Sequence, residues 1–179
     1  MKGKSVNALA NKKFLKLEES RHSLLESLKK IEPVKLETPP SIGKWSVAQI
    51  FYHLNKAERF STIYVSKKRL DINNLEKTGF TEQLKLDFLR ILFVLPFALK
   101  APVKVLGDVP EKVDYKSITA EWDETRTKLR ELLDSLPDEI LYKNVFKQPA
   151  IGRVNIFQML DFMQSHFDRH QRQVEKIVK

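Results

Sequence analysis

The chain of 179 residues has no cysteine. This excludes a disulfide framework, a thiolate zinc cluster and a catalytic cysteine, so stability must come from packing, and any thiol chemistry needs a thiol from outside. Long apolar runs are missing as well. The longest, Phe88 to Leu99, is interrupted by Arg90 and Pro96 and falls well short of the roughly 20 residues that span a bilayer. No transmembrane helix and no membrane partner are expected. Residues Met1 to Leu17 lack the apolar central block of a secretory signal, which makes the cytoplasm the expected location. No Pro/Gly/Ser-rich stretch is long enough for an interdomain linker. With 42% apolar residues, a chain of this length fills one core, so a single domain over residues 1–179 is expected. The formal charge of +9 raises the question of nucleic acid. The lysines are scattered along the chain, however, and neither a helix-turn-helix nor an aromatic stacking motif accompanies them, so no specific nucleic-acid partner is expected.

What is present is helical periodicity. From Asn11 to Ile31, residues Phe14, Leu17, Leu24, Leu25, Leu28 and Ile31 recur at helical spacing, with Pro33 as the stop. Lys35 to Lys44, with Pro39, Pro40 and Gly43, reads as an extended loop. Ser46 can cap the amide of Gln49 while the Gln49 side chain reaches back, which opens a second helix from Val47 to Leu70 on the stripe Val47, Ile50, Leu54, Ala57 and Tyr64. Asp71 to Phe80 reads as a loop, Thr81 to Leu95 as an additional helix broken by Pro96, and Lys100 to Lys116 as irregular. A third bundle helix is expected over Thr119 to Leu136, on Trp122, Leu129, Leu132, Leu133 and Leu136. Tyr142 to Val154 reads as a turn. Asn155, with Gln158 three residues on, opens the last helix, whose stripe is Ile156, Met159, Leu160, Met163, Phe167, Val174 and Ile177. Without a strong strand signal, the expected class is all-α: a four-helix bundle with an additional helical segment between the second and third bundle helices.

Three histidines stand in or beside these apolar stripes. His166 and His170 are spaced i, i+4 on one helix face, and His53 lies beside the stripe of the second helix. A buried imidazole is costly unless its nitrogens find partners. One divalent cation shared by all three would satisfy them; hydrogen bonds to core carbonyls, or an edge onto solvent, would do so as well. Three neutral ligands on zinc leave an open position where bound water can ionise near neutral pH, and the uncompensated double charge favours an anion, hydroxide or thiolate there. Phe167 follows His166, so the His-Glu-x-x-His protease signature is absent. Gln49 and Gln173 are candidates to orient ligands or substrate from behind the histidines; ordinary capping or surface roles are open to both. Glu58 and Asp161 are expected on solvated helix surfaces, so no carboxylate is assigned as general base. His22, flanked by Glu18 and Glu26, reads as a surface residue.

The stretch Gly43-Lys44-Trp45-Ser46-Val47-Ala48-Gln49-Ile50-Phe51-Tyr52-His53-Leu54 resembles the entry to the first ligand helix of DinB/YfiT-like metalloproteins. His166-Phe167-Asp168-Arg169-His170-Gln171-Arg172-Gln173 is similar to their closing motif, and Pro149 to Asn155 resembles the turn before their last helix. The resemblance covers essentially the whole chain and implies a four-helix bundle with a three-histidine site for one divalent ion, zinc or nickel foremost, with manganese or iron as alternatives. The ligands it implies are His53, His166 and His170. It further implies a thiol S-transferase or a hydrolase in which a metal-bound thiol or water attacks a small electrophile, the thiol being a low-molecular-weight one such as bacillithiol, mycothiol or glutathione. A non-catalytic metal- or ligand-binding bundle is the alternative. Residues 81–105 exceed a minimal bundle and are expected to cover the metal pocket. The apolar run Phe88 to Leu99 is expected to pack within the chain, and is also a candidate homodimer surface.

Overall fold

The computed structural model describes residues 3–77, 79–94, 108–148 and 152–179. Among these described residues, six α-helices follow in order: α1 (Gly3–Leu28), α2 (Pro33–Glu37), α3 (Val47–Lys68), α4 (Phe80–Val94), α5 (Tyr115–Ser135) and α6 (Ile156–Val178). The four long ones, α1, α3, α5 and α6, form a four-helix bundle. Both α1 and α3 pack against α5 and against α6, so α1 and α3 occupy one diagonal. Among the described residues, no helix is long and apolar enough to cross a membrane.

Local chemistry sets the helix starts. At α3, Ser46 Oγ accepts from the Gln49 amide (3.1 Å) and Gln49 Oε1 accepts from the Ser46 amide (2.9 Å). The same reciprocal pair, Asn155 and Gln158, opens α6. Each box satisfies two amide donors that a helix start leaves without intrahelical partners. Asp114 Oδ1 accepts from the Ser117 amide, so α5 begins at Tyr115, four residues before the expected start. The first helix also differs from expectation. It runs from Gly3 and ends at Leu28, and Pro33 opens the short α2 instead of stopping α1, as suits a residue whose missing N–H costs nothing at a helix start. The expected loop at Lys35 therefore begins with a helical turn. After α3, Arg69–Asn74 continues as a 3-10 turn.

Tyr142 to Val154 is not simply a turn. It contains a small antiparallel hairpin, β1 (Phe146–Gln148) with β2 (Gly152–Val154), in the register Phe146 to Val154. Three-residue strands are too short for alternation to stand out from a loop. Gly152 lies at φ +104°, in the left-handed region that favours glycine.

The core centres on Trp122, Phe51 and Phe167, all with essentially no exposure. Trp122 packs on Phe51 from α3 and Phe167 from α6, with ring centroids 5.2 and 6.2 Å away. Beside it lies an ionic network, and Glu58 belongs to it instead of to a solvated surface. Glu58 is 2% exposed and Arg126 1%. Glu58 Oε2 accepts from Trp122 Nε1 (2.7 Å) and Arg126 Nε (2.6 Å), and Oε1 accepts from Arg126 Nη2 (2.9 Å). Arg126 Nη1 also donates to Glu18 on α1 (2.7 Å), where Arg21 reaches Glu18 and Asp123. The network ties α1, α3 and α5 together. Asp161, the other carboxylate expected on a solvated surface, is half-buried and paired with Lys13.

The additional helix, α4, lies against α6 and β2. Leu86 is buried, but Phe88 and Ile91 are 62% and 60% exposed. Packing of the Phe88 to Leu99 run within the chain thus fails for these two side chains, because the buried face of α4 is the one that carries Leu86. Residues 95–107, where the expected pocket cover continues, lie outside the described residues.

Candidate metal centre

α3 and α6 bring the three histidines together. Ser46 fixes where α3 starts, and His53 follows two turns later; Asn155 does the same for α6, and three turns on it places His166 and His170 one above the other. His53 and His170 are buried and His166 is half-buried. His53 Nε2 and His166 Nε2 stand 3.0 Å apart, the ring centroids are 4.8 to 5.0 Å from one another, and one nitrogen from each falls within 4.8 Å of the others. Among the described residues this is the one group of three or more such donors.

The donor set fits a cation. With zinc–nitrogen bonds of about 2.1 Å, two ligands on one ion lie roughly 3 to 3.4 Å apart at ordinary coordination angles. The His53–His166 separation falls in that range, and a pair at the 4.8 Å limit needs to close by roughly 1.4 Å. His170 Nδ1 lies 3.0 Å from Gln173 Oε1. A carboxamide oxygen only accepts, so Nδ1 carries the proton and Nε2 keeps its lone pair for an ion, as orienting partners of metal-binding histidines do. Gln49 sits differently. Its oxygen is in the capping box, and its nitrogen donates to the carbonyls of Pro110 (2.8 Å) and Glu111 (3.1 Å). It therefore fastens the segment before α5 to the start of α3. His22 is on the surface, 3.7 Å from Glu26.

Aromatic rings flank the site. Trp45 lies 5.2 Å from His53, and Phe162 stacks on His166 at 5.6 Å. Phe162 was not legible as a site residue, because its position beside the α6 stripe looks like any half-buried helix edge.

Burial and the neighbouring imidazoles hold His166 and His170 neutral. His166 is held well below the usual histidine range by burial, then by the His170 and His53 charges and that of Arg169. His170 is pushed down to about 3 by burial first and by the His53 charge next, with the Gln173 hydrogen bond opposing. Unfolded, both would take up protons near pH 6.5; folded, they do not until far lower pH. The metal-free protein should therefore keep its full stability above pH 6.5 and lose it as pH falls from 6.5 toward 3, by up to about 1.4 kcal/mol per pH unit for each histidine. Melting curves of chelator-treated protein at pH 7.5 and 5 check this. A wild-type loss no larger than that of a His166→Ala, His170→Ala variant would contradict it.

Gln173→Ala should weaken metal binding about 10- to 100-fold, whereas Gln173→Glu, which keeps an acceptor oxygen, should lose much less. Competition with a chromogenic chelator measures both.

The sequence profile of the DinB superfamily matches residues 16–174. The chain belongs to the DinB superfamily. Its three-histidine cluster can bind a metal ion, in keeping with a metal-associated superfamily. Among solved structures this DinB-superfamily chain is similar to TT2238, described as a four-helix bundle protein, with a TM-score of 0.57 and 18% identity over 93% of this chain and 98% of the other. At that identity the likeness concerns the fold alone. No curated protein sequence matches.

Proposed function

We propose that this chain is a divalent-metal enzyme that transfers a low-molecular-weight thiol to a small electrophile or, with water in place of the thiol, hydrolyses one. Zinc or nickel would be the ion, with manganese and iron as alternatives. One observation carries the reading: His53, His166 and His170 converge from two helices at the edge of the core, two of them held in the neutral form that coordinates. When bound, the ion would supply Lewis acidity that eases deprotonation of a thiol or water and draws charge from the electrophile. Gln173 fixes the His170 tautomer, while Trp45 and Phe162 wall the imidazoles and limit water beside them. In thiol transfer the S–H bond breaks, its proton passes to solvent, and sulfur forms a bond to the electrophilic carbon as the leaving group departs with its electron pair. Glu58 is held by Arg126 and Trp122, and Asp161 by Lys13, so neither is placed as a general base.

Elemental analysis of purified wild type and a variant with all three histidines changed to alanine tests metal binding. Loaded wild type is then mixed with a thiol and a fluorogenic alkyl halide, or with esters and amides. Stoichiometric metal with turnover that the triple variant lacks supports the reading. Metal without any turnover leaves a binding module, and no metal in either protein defeats both.

A further inference from the structure

Gln158, Phe162 and His166 follow one another on α6 at i, i+4 and i+8, so each is turned by the same small step from the one before. Gln158 Nε2 donates to Gln83 Oε1 of α4 (3.0 Å), and His166 meets His53 of α3. Phe162 therefore stands between α4 and α3. Its half-buried ring stacks on that of His166, with centroids 5.6 Å apart and planes 13° from parallel. α3 runs antiparallel to α6, because Tyr64, late in α3, packs on Phe146 of β1 (5.7 Å) just before α6 begins. One turn from the histidines toward the hairpin thus passes Phe162 on α6 and Ala57 on α3, four residues after His53. Phe60, 57% exposed, and Tyr64 continue the strip, their rings 6.0 Å apart. Lys56, the cation on the same stretch of α3, is engaged by the Asp108 carbonyl (3.1 Å) and the Tyr52 ring.

The strip beside the histidines is therefore apolar, and its smallest side chain, Ala57, lies at the level of Phe162. A turn of helix is about 5.4 Å, room for one planar ring next to an imidazole. Small-molecule sites take orientation from a few polar groups and affinity from apolar walls. We propose that Phe162 and Ala57 form the seat for a flat apolar group of the electrophile, so that the substrate class of this site is an aromatic electrophile, with Phe162 as the specificity-determining residue. This rests on the metal reading above and adds the shape of the substrate to it.

The test uses two chelators that share one metal-binding group and differ in a phenyl against a methyl, benzohydroxamate and acetohydroxamate. Both are titrated calorimetrically into zinc-loaded wild type, Phe162→Ala and Ala57→Leu, with metal content measured on the same samples. The ratio of the two affinities within each protein cancels any general change in metal binding. Wild type should prefer benzohydroxamate by about tenfold or more, the scale of burying a phenyl ring. Phe162→Ala removes the wall and Ala57→Leu fills the seat, so each should bring the ratio most of the way to one. Equal affinities in wild type, or an undiminished ratio in either variant, overturns the seat and leaves the metal reading standing. Failure to load metal, or loaded wild type that binds neither hydroxamate, overturns that reading as well.

Discussion

Glu58→Ala is expected to cost about 3 to 5 kcal/mol of folding stability, because it leaves the Arg126 guanidinium buried without its main counter-charge. Glu58 also accepts from Trp122 Nε1, so the same change strips a second buried donor of its acceptor. Domains are stable by only about 5 to 15 kcal/mol, so one substitution removes a large share. For a chain of this length, about 2 to 4 °C per kcal/mol gives a melting temperature lower by roughly 6 to 20 °C. The network's own logic supplies the control. In the double variant Glu58→Leu, Arg126→Met both charges leave together and apolar volume replaces them, so much of the loss should return. Glu18 keeps Arg21 as a partner in that variant. Thermal melts followed by circular dichroism decide it: a double variant as unstable as Glu58→Ala would show that lost packing or the stranded Trp122 donor, not the stranded charge, sets the cost.

The same pair shows where periodicity is informative and where it misleads. Glu58 falls four residues after Leu54 and seven after Phe51, and Arg126 four after Trp122 and three before Leu129. Both therefore stand on core faces, and opposite charges on two core faces were the signal for a buried pair. Reading each charge as solvent-seeking hid it, because a single helix cannot reveal a partner on another. The helices themselves were legible because the apolar stripes run for about four turns or more and the Ser46 and Asn155 boxes mark the starts. The hairpin was not, since strands of three residues show almost no alternation. The histidine pair was legible from its spacing on α6. That His53 meets it depends on α3 packing against α6, which the motif resemblance implied and no local pattern could establish. The roles of Gln49 and Gln173 separated only through geometry: one carboxamide is taken up by a cap and two carbonyls, the other faces an imidazole.

Metal addition should produce the other large effect. A ligand that binds only the folded state stabilises it by about 4 kcal/mol at a free concentration 1,000 times its dissociation constant, or roughly 8 to 16 °C in melting temperature. Zinc or nickel added to chelator-treated wild type should raise the melting temperature by that order, and the variant with His53, His166 and His170 all changed to alanine should show no shift. The metal-free triple variant should also resist acid better than metal-free wild type. Below pH 6.5 the wild type is penalised because its unfolded chain takes up protons that the buried imidazoles refuse, and alanine removes that penalty. The two comparisons separate the explanations for buried histidines on α3 and α6. If the site exists to hold an ion, wild type gains from metal, and the variant gains only resistance to acid. If the imidazoles were satisfied simply by one another, through contacts such as the 3.0 Å Nε2 to Nε2 approach, neither zinc, nickel, manganese nor iron(II) would move the wild-type melt, and the metal reading would fall.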